Sequence, residues 1–355
     1  MSDFLTSPEN ITAAWLTSRL QKNGYLLAGE VESINFTMLQ KNHLAVTASY
    51  SDNMRSSLPR NLILKWYGKN YPYGMREGEF YKRVAIQMPN PPVPLCYDVL
   101  IDDTTCQTQL LLADLSATHT PATAIDGHQI ETALVSIFDI YADFHAYWWN
   151  HPLISQADFI GSNGIGVSHA ATSAAAISEN RTLFSQEIAP RFFEQHQGKL
   201  PDAWKEICFH AIEVWANLFS ARVEQGRALT LIHGDAHLNN VLFPKNLHAH
   251  TPILIDWEGW IRGIGVWDLA RILTYCVHPS KRPLLDKNLL QRYHARLVHL
   301  GVDNYSFQEC VEDFRLCIVA NILHAMAWTG MTHLEYTLSA FDAWGCQTLF
   351  DMVVK

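Results

Sequence analysis

The rhythm of apolar and polar positions changes near residue 115. Before it, apolar residues come in short runs. Leu44 to Tyr50 (LAVTASY) and Asn61 to Tyr67 (NLILKWY) are rich in β-branched and apolar residues, with Asp52, Asn53 and Pro59 between them, which predicts two strands joined by a polar stretch. From Met75 to Met88, Phe80, Val84 and Met88 recur at helical spacing, and the run from Pro89 to Pro94 (PNPPVP) stops that helix, because proline lacks the N–H and clashes with the preceding turn. Leu95 to Ile101 and Gln107 to Leu112 predict a strand pair across Asp102-Asp103.

After Leu115 the period lengthens. Ile130, Leu134, Ile137, Phe138, Tyr141, Phe144 and Trp148 mark a long helix, and Phe193 to Phe219 and Leu289 to Trp344 are mainly helical. Between them stands an island of strand and turn, LTLIHGDAHLNNVLF from Leu229 and PILIDWEGW from Pro252. The predicted fold class is α+β: a small β-rich lobe with one main helix over residues 1–114, a connector near Asp114, and a larger, mostly helical lobe over residues 115–355. No repeat or low-complexity tract interrupts this plan.

Composition narrows the picture. Hydrophobic residues make up 48% of the 355 positions and charged residues 17%, which excludes a mostly disordered chain. The formal net charge of −9 argues against general binding to nucleic acid or to an anionic membrane. Seven cysteines, an odd count without a CxxC pair, argue against a disulfide framework or a structural zinc site and fit a reducing cytoplasm. The first residues, MSDFLTSPENITAAWL, lack the pattern of a signal peptide. The most apolar run, LCIVANILHAMAW from Leu316, is short for a bilayer and carries Asn321 and His324, so it predicts a buried helix.

The island holds the candidate chemistry. His233-Gly234-Asp235-Ala236-His237-Leu238-Asn239-Asn240 follows one apolar strand, and Asp256 ends another. Phosphoryl transfer from a nucleotide needs a carboxylate to orient the attacking hydroxyl, oxygen ligands for Mg²⁺ and a cation on the phosphates. Asp235 suits the first task, and Asn240 and Asp256 the second, since Mg²⁺ prefers oxygen donors. Lys65, central in an apolar strand, suits the third and needs a buried partner, which Glu77 or Glu79 on the next helix can supply. Asp268, in WDLA, suits a structural brace better than a catalytic role. Tyr147-Trp148-Trp149 and Trp257 with Trp260 suit core packing better than a pocket, although a pocket of such rings would favour an apolar hydroxylated compound or a quaternary amine. An aminoglycoside site would need acidic side chains, of which Asp143 and Glu335 are examples.

The ordered set of a lysine in LILKWY, the helix motif EGEFY, the connector LLLADLS, HGDxHxxN, IDWE and WDLA resembles the aminoglycoside phosphotransferase and choline kinase superfamily, with its protein-kinase-like two-lobe fold. Asn239-Asn240 and EGEFY look most like its ecdysteroid-kinase-like branch. The resemblance implies an ATP-dependent kinase, with GTP as an alternative donor, that phosphorylates a hydroxyl of a small acceptor. It implies Asp235 as catalytic base, Asn240 and Asp256 as Mg²⁺ ligands, Lys65 on the α- and β-phosphates, and Glu77 rather than Glu79 as its partner. It also implies the backbone of Leu112, Ala113, Asp114 and Leu115 against adenine, His233 within the catalytic loop and His237 as its brace. No GxGxxG loop is present, so Ser33 and Asn35 are the candidates to cover the phosphates. Trp257-Glu258 after the metal aspartate argues against a regulated protein kinase. The acceptor side is expected from the helical segments between Ala157 and Gly226 and after Lys281.

Two other functions compete. His233, Asp235 and His237 alternate along the chain and read as ligands of a metal-dependent hydrolase, which leaves Lys65 and Asn240 without a role. A nucleotide-binding module without turnover draws on the missing glycine loop.

Overall fold

The computed structural model describes residues 4–51, 58–125, 129–156, 168–169 and 173–352. Asp52 and Asn53, and the start of the expected acceptor side from residue 157 to 167, lie outside the described residues. The chain divides into two compact units, Met1–Thr120 with Leu242–Gly259, and Pro121–Val241 with Trp260–Lys355.

The first unit is built on a five-stranded antiparallel sheet of order β1-β2-β3-β5-β4. Its strands are β1 (Val31–Gln40), β2 (His43–Tyr50), β3 (Asn61–Tyr67), β4 (Cys96–Asp102) and β5 (Gln107–Ala113). Strand β3 has the predicted bounds, and β4 and β5 lie within one residue of theirs. Leu62 and Leu64 are fully buried, and β5, between two neighbours, buries residues 107–112 in sequence. A short helix, α1 (Ala13–Lys22), sets Leu16 and Leu20 against Leu44, Val46 and Leu111. Arg19, on that helix, makes a buried bidentate pair with Asp98 at 2.5 and 2.7 Å, a geometry that meets both charges as they leave water.

The predicted helix begins earlier than its apolar period, as α2 (Pro72–Glu79), and continues through a π-turn over Phe80–Val84. Proline suits the first turn, where its missing N–H has no helical partner. Gly74 and Gly78 let this helix lie on the sheet: a Cβ on Gly74 would stand 2.3 Å from Cγ of Tyr67, and one on Gly78 2.8 Å from Ile101. That close approach carries Glu77 to the level of Lys65.

By chain order, residues 242–259 read as part of the larger lobe. The structure counts them with the first unit. The physical reason is local: Leu254 donates its N–H to Pro92 O at 2.7 Å, and Trp257 stacks on Phe80 with ring centroids 4.0 Å apart. A small sheet of β6 (His119–Pro121), β8 (Val241–Pro244) and β9 (Ile253–Leu254) leads into Asp256 and Trp257.

The second unit is mainly helical. Its long helices are α3 (Ile130–Trp148), α6 (Asp202–Glu224), α8 (Arg282–His299), α9 (Phe307–His324) and α10 (Met331–Ala343), with α4 (Ala174–Leu183) and α5 (Ala189–Gln195) beside them. The apolar run from Leu316 covers the buried end of α9 and continues into the π-turn after it, and among the described residues no helix is long and apolar enough to cross a membrane. Strands β7 (Thr230–Ile232) and β10 (Ile261–Gly263) pair antiparallel and frame the catalytic-loop candidate, and α7 (Val266–Cys276) follows. Trp148, Trp257 and Trp260 are core residues, at no more than 2% exposure.

Candidate functional site

In the first unit, Lys65 sits in β3 at 5% exposure. Its ammonium donates to Glu77 at 2.6 Å and to Asp256 at 2.8 Å. Tyr67, two residues on and therefore on the same face, donates its hydroxyl to that same Glu77 oxygen, Oε2, at 2.7 Å, while the ammonium also reaches Oε1 at 2.9 Å. Burial works against the charged lysine, but Glu77 and Asp256 outweigh it and raise its pKa. Asp256 holds a left-handed backbone, with φ of 66°, an uncommon conformation for a residue with a Cβ and one that recurs at functional sites. Glu258 completes a carboxylate cluster: oxygens of Glu77, Asp256 and Glu258 lie within 4.8 Å of one another. Tyr71 donates to Glu258 at 3.1 Å, and burial followed by the charge of Asp256 raises the Glu258 pKa.

Oxygen donors at this spacing fit a hard divalent cation such as Mg²⁺. Among the described residues, His233, Asp235 and His237 do not form such a group. The hydrolase reading therefore loses its ligand set.

The structure does not bring Ser33 and Asn35 to this cluster. Both are exposed on β1, and Asn35 registers through Thr47 with Asn61, four residues from Lys65, about 13 Å at strand spacing. The neighbour of Lys65 on β2 is His43, beside the Lys41-Asn42 turn that joins β1 to β2. Burial and then the nearby ammonium of Lys65 push the His43 pKa down to about 4. Sequence reasoning missed this turn because β1 is exposed along most of its length and carries no strong alternating signal. Leu112 is buried at the end of β5, and the N–H groups of Ala113 and Asp114 are donated to Leu95 O and Asn61 O. The Asp114 carboxylate accepts from the Ser116 N–H at 2.8 Å, and Leu115 O accepts from Thr118 and His119.

In the second unit, the loop after β7 is held from below. Fully buried Asp268, near the start of α7, accepts the N–H groups of His233 at 2.7 Å and Gly234 at 3.1 Å. Trp267 donates its indole N–H to Gly234 O, and Asn240 donates its amide to Asp235 O at 3.0 Å. His145 links Asp268 (3.2 Å) to the Tyr293 hydroxyl (2.9 Å), all fully buried. Asp268 is thus a loop brace, and His145 and Tyr293 are supports whose partners lie more than a hundred residues away in sequence.

His233 is fully buried, while the Asp235 side chain is 47% exposed. His237 Nε2 stands 3.4 Å from Asp235, and Arg271 3.7 Å. Burial would raise the Asp235 pKa, but the hydrogen bond and charge of His237, then the charges of Arg271 and His233, hold it well below the usual carboxylate range. Asp235 is therefore ionised at neutral pH and able to accept a hydrogen bond from a hydroxyl.

Residues 56–305 match the phosphotransferase enzyme family. Among curated proteins, no sequence matches the chain. Among solved structures, a GDP complex of aminoglycoside 2'-phosphotransferase-IIIa is similar over 95% of this chain and 99% of its own, with 10% identity and a TM-score of 0.50. An ethanolamine kinase from Plasmodium vivax is similar over 90% of this chain and 83% of its own (12% identity, TM-score 0.48). A microcompartment-associated aminopropanol kinase is similar over 90% and 93% (14% identity, TM-score 0.47). The first of these likenesses and the family match give the fold: a β-sheet N-terminal region and a helical C-terminal region of the protein-kinase-like, two-lobe α+β type.

Proposed function

Because the chain belongs to the phosphotransferase enzyme family, we propose that it transfers the γ-phosphoryl group of ATP, or alternatively GTP, to a hydroxyl of a small acceptor. The observation that carries this reading is the ion triad of buried Lys65 and Glu77 with part-exposed Asp256. A lysine with a raised pKa is a permanent cation, and Glu77 and Tyr67 fix its position against a strand and a helix. Such a cation suits the α- and β-phosphates, which carry charge through the whole reaction.

Asp256, with the Glu77 and Glu258 carboxylates beside it, would hold Mg²⁺, and the motif order offers Asn240 as a further oxygen ligand. When bound, the ion supplies charge neutralisation on the phosphates. The turn at Lys41-Asn42, next to His43, is the segment suited to cover the phosphates, and the backbone from Leu112 to Leu115 the one suited to the base.

Asp235 would orient the acceptor hydroxyl. A carboxylate held at low pKa is a weak base, so its task is to align the hydroxyl and take the proton late, as a loose transition state requires. The bond between the γ-phosphorus and the β–γ bridging oxygen breaks. A bond from phosphorus to the acceptor oxygen forms, the hydroxyl proton passes to Asp235 and then to solvent, and ADP leaves. Asp268, His145 and Tyr293 do not touch reacting atoms in this scheme; they fix the loop that carries Asp235. The reading expects no nucleic-acid partner.

Calorimetric titration of ATP with and without Mg²⁺ tests the nucleotide half. Mg²⁺ should tighten ATP binding in the native chain, and Asp256→Asn should lose that gain while remaining folded. ATP binding that ignores both Mg²⁺ and Asp256→Asn would remove the assignment.

A further inference from the structure

Trp267, Arg271 and Tyr275 are spaced four residues apart and line one face of α7, the helix that also carries the loop brace Asp268. This face adjoins Asp235. The Arg271 guanidinium is 3.7 Å from the Asp235 carboxylate and lies over the Tyr275 ring, 4.3 Å from its centroid. His324, at the end of α9, lies 5.8 Å from Trp267 by ring centroids. His333, on α10, is in ring contact with Tyr275, and His237 is 5.5 Å from the same ring.

The chemistry of this wall is that of hydrogen-bond donors. Arg271 is 3% exposed and His324 8%. Arg271 Nε, His324 Nδ1, His333 Nδ1 and His237 Nδ1 are buried without a hydrogen-bond partner. A buried polar group left unpaired is costly, and more so a charged one, so a cluster of them near the Asp235 carboxylate points to a ligand that accepts hydrogen bonds. Burial, and then the charge of Arg271, keep His324 and His333 neutral, so Arg271 supplies the positive charge and the imidazoles supply N–H donors through their tautomer.

Among the described residues, the rings of this wall and the two acids singled out for a cationic acceptor are otherwise placed. A face of each of two rings on this wall is engaged: His169 stacks on Trp267 at 4.5 Å, and Arg271 covers Tyr275. Asp143, one of the acids that an ammonium-rich acceptor would need, is bound bidentate to Arg296 at 2.5 and 2.7 Å, and Glu335 is exposed on α10. An ammonium group at Arg271 would meet like charge.

We propose that the acceptor is a hydroxylated organic acid, its carboxylate held by Arg271 and His324 while its hydroxyl meets Asp235; this rests on the phosphotransferase reading above. Arginine suits the role, because its fork matches a carboxylate in two parallel hydrogen bonds.

Ligand-observed NMR on the full chain tests it with three pools of matched size: hydroxy acids, hydroxylated amines and neutral polyols. The hydroxy-acid pool should bind, Arg271→Gln should weaken that binding at least about tenfold, and Arg271→Lys should weaken it less. His324→Gln gives a second reading should the arginine variants fail to fold. Binding confined to the amine or polyol pool, binding of none, or acid binding indifferent to both positions would overturn the proposal. Phosphorylation of an amine by Mg²⁺–ATP would overturn the acid class and leave the kinase reading standing. Arginine-dependent acid binding with no ATP turnover would do the reverse.

Discussion

Lys65 and Glu77 are each at most 6% exposed as side chains, and each is tolerable there because of the other. Removing one partner of a buried pair is costly, since the remaining charge is left without compensation. Lys65→Ala should therefore destabilise the fold by about 3 kcal/mol, read from urea unfolding. The double variant Lys65→Ala/Glu77→Gln should recover part of that loss, because Tyr67 can still hydrogen-bond a neutral amide. Equal stability of the single and double variants would show that Lys65 does not compensate Glu77. The pair was legible in the sequence: an isolated lysine in an apolar strand demands a partner, and the following helix offers Glu77 and Glu79. The geometry decides between them, because Glu77 is 1% exposed against the sheet while Glu79 faces Arg83 at 3.3 Å. Arg271 was not legible, since neither its burial nor its lack of a full set of partners leaves a mark in a short motif.

At the scale of elements, the loop that carries Asp235 depends on the first turn of α7. Asp268 accepts two backbone N–H groups with its two carboxylate oxygens. An asparagine there keeps one acceptor and turns an NH₂ group toward the other donor. Asp268→Asn should cost about 1–3 kcal/mol in thermal stability, and lower kcat while leaving the affinity for ATP unchanged. A loss of ATP affinity with normal turnover would place Asp268 elsewhere in the mechanism. The strands that frame these loops were readable from short apolar runs, β3 to the residue. Strand β1 was not, because an exposed edge strand needs no apolar alternation. The turn after it therefore carries no mark in the sequence, whereas Ser33 and Asn35 stand out beside Gly29. Helix α2 begins three residues before the predicted start, since Pro72 and Gly74 look like breakers until their positions at the first turn and against Tyr67 are seen.

For the whole molecule, the shift from short apolar runs to helical spacing near residue 115 conveys the α+β plan, and the order of motifs conveys the family. Chain order does not convey that residues 242–259 pack with the first unit, because stacking of Trp257 on Phe80 links positions that sequence periodicity treats as unrelated. As a result, Asp256 belongs with Lys65 and Glu77, while Asp235 and Asn240 belong to the second unit. The proposed transfer draws on residues of both units. Mass spectrometry of a phosphotransfer mixture tests this most directly, using Mg²⁺–ATP, a library of small hydroxylated compounds, the native chain and Asp235→Asn. A product heavier by one phosphoryl group is expected with the native chain, and its loss with a folded Asp235→Asn that still binds Mg²⁺–ATP. An equal yield of that product from Asp235→Asn, or none from a native chain that fails to bind Mg²⁺–ATP, would overturn the phosphotransferase reading.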